Sequence, residues 1–85
     1  MNKRENKSYI LHLVFNMAVP TIVTVIINDR VIPHIITGIF SDNISRTLFE
    51  FYPDELSFTK KEFIGMTQTQ AFRVKQTKDV AYLQS

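Results

Sequence analysis

Eight of the nine residues from Val19 to Ile27 are β-branched, and the ninth is Pro20. Two heavy atoms on Cβ stiffen χ1 and crowd a helix, whereas on a pleated surface they pack well, so this run reads as strand. It closes a longer stretch, Ser8 to Asn28, that holds no Asp, Glu, Lys or Arg. About 20 apolar residues also suffice to cross a bilayer as a helix. Lys3, Arg4 and Lys7 ahead of the stretch suit an inward-facing N-terminus or the opening of a signal peptide. Against a helix over 9–27 stand His12 and Asn16 within it, Pro20 near its middle and the β-branched density. No small-residue cleavage pattern follows it either. A sheet is the first reading, and a small membrane-anchored protein is an alternative.

The next residues favour the sheet. Asn28-Asp29 is a turn pair, and a second apolar run, VIPHIITGIF, follows it. Two β-rich runs joined in this way read as a hairpin, although Asp adopts positive φ less readily than Gly. Strands are expected at 8–15, 21–28, 31–40 and 47–52. Pro33 lacks a donor and belongs at an edge or a bulge, and Gly38 marks a second irregularity. Ser41–Ser45 is a turn cluster. In TLFEFY, Thr47, Phe49 and Phe51 alternate with Leu48, Glu50 and Tyr52, which places the Phe face inward.

Beyond Pro53 the signals turn helical. Thr59-Lys-Lys-Glu62 has the spacing of a capping box and predicts a short helix over 60–64 that Gly65 stops. Thr67 is placed to cap a second helix running to about residue 83. Its apolar positions form no clean stripe, and a hairpin turning at Thr77-Lys78-Asp79 is the competing reading. A small sheet needs a cover, which favours the helix. The expected architecture is a polar tail over 1–7 followed by one α+β domain over 8–85. That domain has a mainly antiparallel sheet of about four strands and a C-terminal helix, with closure into a small β-barrel-like domain as a variant. Since strands one to three are apolar on both faces and the helical residues are few, a homodimer is expected to bury the surplus. The interface is assigned to Tyr9, Leu11, Leu13, Ile22, Ile26 and Ile36.

Composition removes several functions. The chain has no cysteine, so thiolate metal sites and disulfides are excluded, and a reducing cytoplasm is the default location. Two glycines, Gly38 and Gly65, cannot build a phosphate-cradling loop. His12 and His34 are too few for a metal site, even with Asp29 or Asp42 nearby, and read as structural histidines. Asp54 and Glu55 follow Pro53 in a turn and read as solvated, and no serine sits in a nucleophile elbow. No nucleophile, base and orienter can be assembled, so neither catalysis nor a cofactor is expected.

Charge is layered along the chain. Residues 28–55 carry two basic side chains against five acidic ones, whereas residues 56–85 carry five against two. The basic set Lys60, Lys61, Arg73, Lys75 and Lys78, near Tyr52, Phe58 and Tyr82, has the composition of a single-strand nucleic-acid surface. A net charge of +2 does not demand such a partner. The leading expectation is a small regulatory or inhibitor-like module that contacts itself and a protein target. By size alone it is analogous to short phage and mobile-element regulators. Nucleic-acid binding by the basic set is the alternative.

Overall fold

The computed structural model describes residues 19–85. The strand expected at 8–15 and the tail at 1–7 lie outside the described residues, as do His12, Tyr9, Leu11 and Leu13. The described residues form a small α+β unit. It comprises strands β1 (Ile22–Asn28), β2 (His34–Phe40) and β3 (Ser45–Phe51), a 3₁₀ turn (Lys60–Phe63) and one helix, α1 (Gln68–Gln84). The sheet is an antiparallel meander in the order β1-β2-β3. About four strands were expected and three are described; β1 and β3 are both edges among the described residues, with no barrel closure between them. Ile22–Asn28 is strand, so a helix running through 9–27 does not form over this part of it. Among the described residues no helix is long and apolar enough to cross a membrane.

The first hairpin departs from the expected tight Asn-Asp turn. β1 and β2 are joined by the five-residue loop Asp29–Pro33, in which the Ile32–Pro33 peptide is cis. A two-residue turn of the favoured hand needs positive φ at both centres. Neither Asn28 nor Asp29 adopts it; Asn28 Oδ1 instead accepts the Arg30 N–H at 3.0 Å. Pro33 stays outside the ladder, so β2 becomes the central strand without losing a donor.

The second hairpin is tight. Ser41, Asp42 and Asn43 form a three-residue loop, with the Asn43 N–H donating to Phe40 O at 2.8 Å and Phe40 N–H donating to Ile44 O at 3.0 Å. Asn43 holds φ 66°, a left-handed conformation that Asn tolerates better than most side chains.

Two bulges set the faces of the sheet. The β1–β2 register slips between Ile22 and Thr24, and the β2–β3 register slips beside Leu48. The first lets Ile22 and Val25, three residues apart, share the core face. The second lets adjacent Leu48 and Phe49 both bury, where strict alternation had set Leu48 outward. Gly38 lies between the bulges, and a Cβ there would stand 3.1 Å from the Phe40 ring and 3.3 Å from Leu48. This glycine makes room for a side chain across the sheet.

The core is the inner face of the sheet and what the last thirty or so residues lay on it. Ile22, Val25, Ile36, Phe40, Leu48, Phe49 and Phe51 meet Phe58, Phe63 and Ala71. Phe49 packs on Phe58 at 4.9 Å and on Phe63 at 5.7 Å between ring centroids. Beyond the 3₁₀ turn the backbone locks onto the sheet edge: Ile22 N–H donates to Met66 O and Gly65 N–H donates to Ile22 O, both at 2.8 Å. Both expected helix starts form. Glu62 Oε2 accepts the Thr59 N–H at 2.5 Å. At α1, Gln70 N–H donates to Thr67 Oγ1 and Thr67 N–H donates to Gln70 Oε1, a complete reciprocal cap. The competing hairpin over 72–83 does not form.

Phe63 is fully buried at the junction of sheet, 3₁₀ turn and rings, whereas its neighbour Ile64 is half exposed. Phe63→Ala is expected to cost about 3–5 kcal/mol, which approaches the whole stability of a domain this small. Ile64→Ala is expected to cost less than about 1 kcal/mol. Urea unfolding followed by far-ultraviolet circular dichroism checks both, and equal losses would contradict this packing.

Candidate functional site

The sequence offered a basic set, a histidine pair and an apolar interface, and the fold distributes them unevenly. Lys60 and Lys61 are exposed on the 3₁₀ turn, and Arg73 is exposed on α1. Lys75 and Lys78 point elsewhere. At 3.6 residues per turn Lys78 lies about 140° around α1 from Arg73, and Lys75 lies on the far side as well. Lys75 Nζ pairs with Asp79 at 2.6 Å. Lys78 Nζ is more heavily engaged: it donates to Ser57 O at 2.7 Å, pairs with Glu62 Oε1 at 2.6 Å and sits 4.3 Å from the centre of the Phe58 ring. The five cations therefore do not make one face. Lys78 ties α1 to the 3₁₀ turn and to the loop before it.

The histidine reading also disperses. His34 stacks edge-on against Phe51 at 5.4 Å. Asp29 lies in the loop at its end of β2, while Asp42 lies at the other end, clamped by both Arg46 guanidinium nitrogens at 3.2 and 2.6 Å. Those hydrogen bonds, joined by the Ile44 N–H, outweigh partial desolvation and hold the Asp42 carboxyl below its ordinary range. Among the described residues no three His, Asp or Glu side chains gather as a metal site. Asp54 and Glu55 are exposed in a turn built on Tyr52 O, which accepts the Glu55 and Leu56 N–H groups. An open depression of about 330 Å³ between that turn and the end of α1 is lined by Glu55, Leu56, Ser57, Lys78, Ala81 and Tyr82. Its one cation is already spent on Ser57 O and Glu62.

The apolar interface divides in two. Ile22 and Ile36 are fully buried in the chain's own core, while Ile26 is 52% exposed. The bulge at Val23 explains the split, because a period-2 count from Ile22 puts Ile26 on the same face and the slipped register puts it on the other. The outer face of the sheet follows from the register as three cross-strand rows: Thr24, Ile39 and Ser45; Ile26, Thr37 and Thr47; Asn28, Ile35 and Glu50. Only Glu50 among them is ionisable. The solvent face of an antiparallel sheet is ordinarily polar, with charges interspersed. Val23, at the bulge, adds a further half-exposed aliphatic side chain. Sequence reasoning named one of these residues, and the missing signal was the register.

Three exposed apolar side chains of α1, Phe72, Val80 and Leu83, fall within about 80° of one another with Gln76 among them, on the side away from Ala71. Phe72 is 48% exposed and Leu83 is 79% exposed. Comparison with protein-family models, with curated proteins and with solved structures finds no match for this chain.

Glu62 supplies a test of the Lys78 tie. Partial burial opposes ionisation, but the Lys78 ammonium and the Thr59 N–H prevail and hold the carboxyl below its ordinary value. A carboxyl whose folded pKa is depressed contributes stability that is present above its unfolded value and lost as pH falls through the folded one. Stability is therefore expected to drop as pH falls below about 4.5. Glu62→Gln is expected to flatten part of that drop, and Lys78→Met to remove on the order of 1 kcal/mol at neutral pH. Urea midpoints between about pH 3 and pH 7 check this, and an unchanged profile in Glu62→Gln would contradict it.

Proposed function

We propose that this chain is a small non-enzymatic regulatory or inhibitor-like module that works by contacting another protein. The observation behind this reading is the outer face of the sheet, nine strand positions with Glu50 as the sole ionisable side chain. Ile26, Ile35 and Ile39 give that face apolar area among Thr, Ser and Asn, and burying such area against a partner removes it from water at roughly 25 cal/mol per Å². The two edge strands are less suited to recruitment by strand addition. Each carries a bulge, which kinks the strand and breaks the run of parallel donors and acceptors that an added strand would need. The face is therefore the docking element, with Ile26 at the β1 end of its middle row.

The test is capture of a target from lysate with the full chain as bait, with and without nuclease. Capture is expected to survive nuclease, to be lost with Ile26→Glu, and to persist with Leu83→Glu on α1. Nucleic-acid binding remains the alternative and makes its own forecast. With Lys75 and Lys78 engaged internally, Lys60, Lys61 and Arg73 are left to meet phosphates. Three contacts to a single strand give a loss of about 20-fold in affinity between about 50 and 200 mM salt. Salt titration of binding to a single-stranded oligonucleotide checks it. A steeper loss would return Lys75 and Lys78 to the binding surface, and salt-independent binding would remove this reading.

A further inference from the structure

We infer that α1 is a hinged cover: it opens from the sheet as a unit, with Lys78 as its latch, while the sheet and the phenylalanine rings stay folded. The inference is independent of the protein-contact reading above. It starts from how little of the core α1 supplies. Nine of the ten buried core residues precede it, and Ala71 is its one contribution, with Val74 partly buried against the cluster. Phe72, Val80, Tyr82 and Leu83 are exposed. Removing α1 therefore takes one methyl group and part of a valine from the core. The ring contacts among Phe49, Phe51, Phe58 and Phe63 are made without any residue of it.

The hold on α1 is correspondingly polar and local. Lys78 Nζ donates to Ser57 O at 2.7 Å, pairs with Glu62 Oε1 at 2.6 Å and stands 4.3 Å from the centre of the Phe58 ring. All three partners lie within residues 57–62, so one side chain fastens the helix to the segment beneath it. Just ahead of the helix the chain is pinned separately: Ile22 N–H donates to Met66 O and Gly65 N–H donates to Ile22 O, both at 2.8 Å. Those bonds use no residue of α1 and survive its departure, which places the pivot at Thr67. Once detached, α1 does not persist as a helix. Four of its 17 residues, Thr69, Val74, Thr77 and Val80, are β-branched, and an isolated helix of that length is marginal in water. Opening therefore melts α1 and bares the side of Phe58 that Lys78 covers. A ligand for that ring shifts the balance toward the open state.

Native-state hydrogen exchange of the full chain at low urea is the test. The amides of Val74 to Lys78 are expected to share one opening. It is expected to depend less on urea than the opening that frees the β2 amides and to occur at least about tenfold more often. Lys78→Met is expected to raise α1 exchange about fivefold. Val25→Ala, in the core on β1, weakens the sheet in the closed and open states alike. It is expected to raise β2 exchange at least about tenfold and to leave α1 exchange unchanged. One common opening for α1 and β2, quickened in both by Val25→Ala, overturns the inference. So does α1 exchange that Lys78→Met leaves unchanged, and so do α1 amides that open singly without urea dependence.

Discussion

Four phenylalanine rings hold this chain together. Phe49 and Phe51 come from β3, Phe58 from the loop after it and Phe63 from the 3₁₀ turn, and Phe58 contacts all three others at centroid distances of 4.9 to 5.8 Å. A three-stranded meander with one apolar face is marginal alone. The rings bring the segment after Pro53 onto that face, and Ala71 follows it as the first buried residue of α1. Large aromatic side chains supply the area that a chain of 85 residues otherwise lacks, at a modest cost in rotamer entropy.

Lys78 acts on the outside of that cluster. Its ammonium sits over the Phe58 ring, donates to Ser57 O and pairs with Glu62. Glu62 in turn satisfies the Thr59 N–H at the start of the 3₁₀ turn. One cation thus links the rim of the core, the loop and α1. The same contacts remove it from the pool of charges open to a partner, so charge density along the sequence overstates what the surface offers.

The bulges connect packing to recognition. By slipping the register at Val23 and at Leu48, they turn extra aliphatic side chains toward the core and leave the outer face to Thr, Ser, Asn, Glu50 and the isoleucines Ile26, Ile35 and Ile39. They also interrupt both edges of the sheet among the described residues. The result is a sheet whose outer face carries Glu50 as its one ionisable side chain among the paired strand positions.

Much of this was legible in the residues. β-Branched density and turn clusters place all three described strands within a few residues, and Thr-x-x-Glu and Thr-x-x-Gln mark both helical starts, because these signals depend on local sterics and local hydrogen bonds. The inward Phe face of β3 was legible for the same reason. Which isoleucine faces out was not: Ile22, Ile26 and Ile36 look alike in sequence, and only the slipped pairing buries two and exposes one. Nor was the fate of Lys75 and Lys78, since an ion pair or a cation over a ring depends on which elements meet. Local chemistry determined the elements of this protein. Tertiary structure decided its faces and its free charges, because register and packing are long-range properties of the folded chain.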